Sequence, residues 1–291
     1  WSFEYKDYAV PIEDEMMQRF VPRHRLVKKD PTAAISEAVE PIVYYLDPGV
    51  PEPVRSALKE GALWWNSAYE KIGYKNAFQV KDLPADADPM DVRYNVIQWV
   101  HRATRGWSYG ASVTDPRTGE IIKGHVTLGS LRVRQDFLIA TGLTAPYGVD
   151  KADVSKQKAM ALARIRQLSA HEIGHALGLL HNFAGSTQDR ASVMDYPAPR
   201  IGLKEGVPDL SDAYGVGLGR WDVHAIDWLY GDPVSGDPDA AARMKAERSE
   251  REGLLRDHHL PPPDAQTTHI RMDLGPFRLR WELHTEFVSW S

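Results

Sequence analysis

The chain has 291 residues, 43% of them hydrophobic and 26% charged, with a net charge of −5. That is the composition of a globular protein able to bury a sizeable core, and its mixed signs offer no partner surface for nucleic acid or an anionic membrane. There is no cysteine, so disulfides and thiolate metal ligands are excluded, and any metal site must be built from His and carboxylates.

No apolar run reaches the roughly 18 residues of a membrane span. The chain opens on Trp1, and no basic-then-apolar segment follows. We read it as a piece of a longer polypeptide, with flanking domains expected in the parent chain.

Residues 1–30 read as a connector whose basic cluster (Arg23, His24, Arg25, Lys28, Lys29) is solvated. Ile42 to Leu46 is apolar, β-branched and aromatic, as a buried strand requires, and Asp47-Pro48-Gly49 ends it. Pro53 opens a helix running to about Ile72. Its Val54, Ala57, Leu58, Ala62, Trp65 and Tyr69 recur at helical spacing and should face a sheet. Trp64 and Trp65 read as core packing.

Phe78 to Val80 and Val96 to Val100 are further strands, separated by an Asp/Pro/Ala-rich loop from Leu83 to Pro89. Tyr109 to Thr114 and Glu120 to Leu128 flank a Pro/Gly turn and should form a hairpin. Within it Val126 and Leu128 alternate with His125 and Thr127, so one face is buried and the other polar. His125 reads as a surface residue, with substrate contact as the alternative.

From Val154 to Leu180 the pattern is helical, with Ala161, Leu162, Ile165 and Leu168 forming an apolar stripe and Asp150, Asp153 and Ser155 as candidate N-caps. Beyond it, residues 200–220 look irregular, 221–230 make a short apolar helix and 239–256 a charged one. Pro261 to Pro263 is a linker, and the tail that follows holds one or two strands.

The long helix ends in His171-Glu172-Ile173-Gly174-His175-Ala176-Leu177-Gly178-Leu179-Leu180-His181. Four residues apart, His171 and His175 stack on one helix face and can share a metal ion. Imidazole suits Zn²⁺, and three protein ligands leave a fourth position open for water. Glu172 is placed to take a proton from that water. Gly178 can adopt the left-handed conformation that ends a helix, so the chain can bend and return His181 as third ligand. Asp189 and Asp195 are the alternatives for that place. No Glu occurs between Glu172 and Glu205, which argues against a Glu from a second helix.

The pattern HExxHxxGxxH, followed by Ser192-Val193-Met194-Asp195-Tyr196, resembles the metzincins. The resemblance implies that Met194 forms an apolar floor beneath the imidazoles. It also implies that Tyr196, two residues on, either donates to a transition-state oxyanion or simply packs. The residue after the third His is Asn182, which departs from the Glu, Pro, Asp or Ser of the astacin, serralysin, adamalysin and matrix-metalloprotease branches. Pro41 to Tyr45, Asp115 to Ile121 and His181-Asn182-Phe183 are similar instead to large bacterial zinc metalloproteases flanked by domains of unknown function.

By that resemblance the fold is α+β: a twisted mixed sheet packed on two long helices as upper subdomain, and an irregular, mostly helical lower one. The catalytic domain would span residues 31–232, dividing near 178, and residues 233–291 would be a C-terminal helix, linker and tail. Substrate would run along an edge strand, for which Gly124 to Leu128 is the candidate. The expected function is a secreted, zinc-dependent endopeptidase acting on peptide or protein substrates. His171, His175 and His181 would be its metal ligands and Glu172 its base. A zinc-bearing peptide-binding module without catalysis, or a hydrolase of non-peptide amides, are the alternatives.

Overall fold

A computed structural model describes residues 3–103, 107–144 and 154–231. The charged helix, proline linker and tail read from the sequence after residue 231 lie outside the described residues, as do Asp150 and Asp153.

An N-terminal ribbon pairs β1 (Phe3–Lys6) antiparallel with β2 (Met17–Phe20). After the short strand β3 (Ser36–Glu37) comes β4 (Ile42–Leu46), whose Ile42, Tyr44 and Leu46 point into the core while the residues between are half-covered. That is the period-two pattern of a strand buried mainly on one face. Helix α1 (Val54–Lys71) buries the predicted stripe from Val54 to Tyr69 against the sheet. Trp65 lies fully inside, its indole N–H donating to the Ala170 carbonyl at 2.8 Å, and Trp64 is partly buried against the same core.

The chain then makes β5 (Tyr74–Lys75, parallel to β3), β6 (Phe78–Asp82), β7 (Asn95–Val100), β8 (Tyr109–Thr114) and β9 (Ile121–Gly129). The main sheet has the order β6-β4-β7-β9-β8; every pairing is parallel except the last. The predicted hairpin is therefore present. Its geometry corrects one expectation: Gly124 to Leu128 belongs to β9, which has β7 on one side and β8 on the other. The edge on this side of the sheet is β8, because the tight turn from Asp115 to Gly119 folds it back onto the outer side of β9. His125 stands on the face opposite Val126 and Leu128, half-buried, with Nε2 3.1 Å from Gln98 Oε1 on β7.

Periodicity did not single out α2 (Leu131–Thr144), which buries only Asp136 and Ala140 and exposes Leu138, Ile139 and Leu143. It packs on α3 (Ser155–Ala176), the long helix with the predicted stripe. Val154 occupies the N-cap with no side-chain hydrogen bond, so Ser155 is the first helical residue and not the cap. Gly61 of α1 faces the Arg166 backbone of α3: a Cβ there would lie 2.0 Å from the Arg166 carbonyl oxygen. Only glycine permits this close helix crossing.

After α3 come a 3₁₀ turn (Phe183–Gln188), a ribbon of β10 (Gly202–Lys204) with β11 (Val207–Asp209), and α4 (Arg220–Tyr230). The basic cluster near the N-terminus is less solvated than its charge suggests. His24 is buried, with its backbone N–H on Tyr230 Oη, and the Arg23 guanidinium donates to the Leu229 carbonyl at 2.7 Å. Both residues tie the N-terminal segment to α4. No helix among the described residues is long and apolar enough to cross a membrane.

Candidate metal centre

His171 and His175 stack at the C-terminal end of α3 and direct Nε2 to one point, 3.1 Å apart. The helix stops there. The N–H groups of Gly178 and Leu179 turn back onto the His175 and Gly174 carbonyls at 2.9 Å, and Gly178 takes φ +99°. A side chain at 178 would also run into the Pro22 carbonyl, 2.5 Å from a built Cβ. This turn returns His181, whose Nε2 lies 3.0 Å from that of His175.

The opposite ring nitrogens are tied down. Nδ1 of His171 lies 2.7 Å from the Val193 carbonyl, and Nδ1 of His175 lies 2.8 Å from the Leu179 carbonyl. A carbonyl only accepts, so each Nδ1 carries the proton and each Nε2 presents a lone pair. Burial lowers the proton affinity of all three rings. Repulsion among them adds to this at His171, which falls well below the usual range, and at His181, which falls to about 3. Three neutral, convergent nitrogens about 3 Å apart suit a tetrahedral ion whose metal–nitrogen bonds are about 2.0–2.1 Å. Among the described residues this is the group that could hold a metal.

Glu172 is 4% exposed beside the triad, and burial pushes its carboxyl up to about 8. Arg164, the backbone N–H of Gly110 on β8 and Arg132 oppose that shift. Tyr196 is more than half exposed, its ring 4.6 Å from that of His181 and 5.1 Å from that of His171. Phe183 stacks on the His181 ring at 4.9 Å and lies 5.3 Å from the Tyr196 ring. Met194 is fully buried, in the turn that follows. A Cβ at Gly174 would meet its sulfur at 2.2 Å and the Trp65 ring at 2.8 Å. The glycine between the two helical histidines is what lets Met194 sit directly under the helix.

Residues 153–256, which include this helix, the returning histidine and the methionine turn, match a family model described as Met-zincin. The site fits a metzincin catalytic domain. Residues 238–291 match a second model, described as a protein of unknown function. No curated protein and no solved structure matches the chain.

Two alternatives for the third position of this metzincin site are spoken for elsewhere. Asp189 pairs with Arg200, and Asp195 takes the Ser186 hydroxyl and the Tyr196 N–H. Asn182 is buried, and its N–H donates to the Met194 carbonyl at 2.9 Å, tying the segment after His181 to the methionine turn.

Sequence reasoning missed Asp222. Completely buried in the first turn of α4, it accepts the Ser192 hydroxyl at 2.6 Å and the N–H groups of Val193 and Gly219 at 2.8 and 2.7 Å. Burial raises its carboxyl to about 7 against the pull of those three donors. The signal was an Asp three residues after Gly219 at the head of an apolar helix, a capping pattern. Gly110 was missed as well. A Cβ there would lie 1.9 Å from the Glu172 carbonyl oxygen, so the edge strand and the metal-bearing helix touch at a glycine.

Proposed function

We propose that this chain is a zinc-dependent endopeptidase, with His171, His175 and His181 as the metal ligands and Glu172 as the general base. The observation that carries the reading is the pairing of three convergent ring nitrogens, two of them on rings whose Nδ1 is held by a backbone carbonyl, with a buried carboxyl one residue from the first of them. A purely structural zinc site would close its fourth position with another ligand and would have no use for Glu172. A zinc ion held by the triad would supply Lewis acidity and a water of lowered pKa.

The chain's own residues then have separable tasks. Glu172, in its ionised form, takes the proton of the attacking water and passes it to the leaving amine. The Gly110 N–H orients that carboxylate. Tyr196 stands near enough to the histidine rings for its phenol to donate to the oxyanion of the tetrahedral intermediate. The edge of β8 is unpaired among the described strands and adjoins Glu172, so a substrate backbone can add to it as a further strand. It takes over the role expected of Gly124 to Leu128. By the family resemblance the substrate is a peptide or protein and the parent protein is exported.

Metal analysis of the purified chain, with peptide-library cleavage before and after chelation, tests the reading. Stoichiometric zinc and chelator-sensitive cleavage are expected. The Glu172→Gln protein should keep the zinc and lose cleavage by about three orders of magnitude or more. A zinc-loaded wild type that cleaves no peptide would leave the non-catalytic binding module or the non-peptide amide hydrolase.

A further inference from the structure

Two guanidinium groups lie within electrostatic reach of Glu172. Arg132, at the start of α2, pairs with Asp136 one turn on at 3.2 Å. Arg164 precedes His171 by seven residues, so at about 100° per residue it returns to nearly the same face of α3, about 10 Å along the axis. It is 8% exposed, with Gln167 Oε1 as its hydrogen-bond acceptor and the Tyr214 ring 5.5 Å beneath its guanidinium. No carboxylate of the described residues comes within ion-pairing distance of it. Its remaining N–H donors lack acceptors, yet none of them is sealed from solvent. The Asp136 and Glu172 carboxyls lie within electrostatic reach of it without pairing with it, and burying a guanidinium is costly unless a hydrogen-bonded anion completes it.

The group is wired to the metal centre. Gln167, its hydrogen-bond partner, donates Nε2–H to the Val193 carbonyl at 3.1 Å, the same oxygen that holds His171 Nδ1. Both Arg164 and Arg132 lie within electrostatic reach of Glu172 and of Tyr196. The guanidinium is thus one hydrogen-bonded side chain away from the carbonyl that holds His171.

We infer that this corner is a carboxylate-recognising subsite: Arg164, with Arg132 nearer the mouth, takes a carboxylate of the substrate residue next to the scissile bond. The carboxylate is an Asp or Glu side chain or a chain terminus. The inference rests on the peptidase reading.

The test uses the zinc-loaded full chain and one peptide sequence bearing Glu, Gln or Leu after the scissile bond, each with free and amidated C-terminus. The Glu peptide should exceed the isosteric Gln peptide in kcat/KM by about tenfold or more, less so in high salt. Arg164→Gln should bring that ratio close to one. Arg117→Gln, an exposed change at the β8–β9 turn, should leave it intact. If Arg164→Gln does not fold, Arg132→Gln takes its place and should lower the ratio severalfold. A Glu-over-Gln ratio that survives amidation assigns the carboxylate to the side chain; a loss of turnover on amidation of the Gln and Leu peptides, absent in Arg164→Gln, assigns it to the terminus.

Equal turnover of the Glu and Gln peptides, together with equal turnover of the free and amidated forms, overturns the subsite, as does an unchanged preference in the folded variant. Binding of the same peptides to the Glu172→Gln protein, followed by fluorescence anisotropy, reads the preference without turnover. A chain that prefers acidic peptides but whose wild type cleaves none keeps the subsite and sinks the peptidase reading. Cleavage without acidic preference does the reverse.

Discussion

Asp222 on α4 accepts the backbone N–H of Val193 at 2.8 Å, and the carbonyl of that same Val193 holds Nδ1 of His171 at 2.7 Å. One residue of the methionine turn is thus gripped from below by a buried carboxyl and grips a metal-site histidine above. Ser192 adds a second strand to the linkage, its hydroxyl donating to Asp222 and accepting the Met194 N–H at 2.9 Å.

Asp222→Ala should therefore act on both stability and metal. It orphans the Ser192 hydroxyl and two buried N–H groups, at about 1–3 kcal/mol each, so a loss of about 3–5 kcal/mol is expected in urea unfolding. Released from below, the Val193 carbonyl holds His171 less firmly, and zinc affinity should fall about 10–100-fold in competition with a chromogenic chelator. A variant with unchanged zinc affinity would show that the linkage supports the fold alone.

Gly174→Ala places a methyl group against the Met194 sulfur and the Trp65 ring, neither of which has room to retreat into the packed core. A cost of about 1–3 kcal/mol is expected from overpacking. The companion change Met194→Ala should relieve that clash in the double variant, so the two effects should be non-additive in a double-mutant cycle. Simple additivity would mean that the two residues do not share the space.

Tyr196→Phe separates the two readings of the phenol. A donor to the oxyanion predicts a fall in kcat of about 10–1,000-fold with KM and zinc content little changed. A packing role predicts wild-type turnover, since the ring contacts with His171, His181 and Phe183 survive the change.

His24 gives a pH dependence of known sign. Burial lowers its proton affinity from the usual 6.5 to about 4. As pH falls from about 6.5 towards 4 the unfolded chain takes up a proton that the folded chain refuses. Its contribution, on the order of 3 kcal/mol, is present above that window and lost on passing down through it. Chemical denaturation at pH 7 and pH 4.5 should show a smaller acid loss for His24→Gln than for wild type. Equal losses would count against this assignment.

Much of the architecture was legible because it rests on local rules. The alternation of Ile42, Tyr44 and Leu46, the stripe from Val54 to Tyr69 and the hairpin around Asp115 to Gly119 are period and turn signals that neighbouring residues decide among themselves. The metal triad was legible for the same reason: His171 and His175 are related by one helical turn, and Gly178 by the conformation that only a glycine adopts cheaply. Helix α2 was not legible, because three of its apolar residues, Leu138, Ile139 and Leu143, face outward and the residues it buries include an Asp that pairs with its own Arg132.

What the sequence by itself determined, then, is the chemistry of the ligand set and the elements that carry it. Tertiary structure decided which strand is the edge, since β8 and β9 have equally strand-like sequences and only their pairing partners tell them apart. It also decided which carboxyl supports the methionine turn and that Arg164 pairs with no carboxylate among the described residues. Asp222 and Val193 are separated by 29 positions, and that Arg164 forms no ion pair with a described carboxylate is a property of the packed segments around it. Burial and long-range hydrogen bonding are properties of the assembled chain, and no local pattern encodes them.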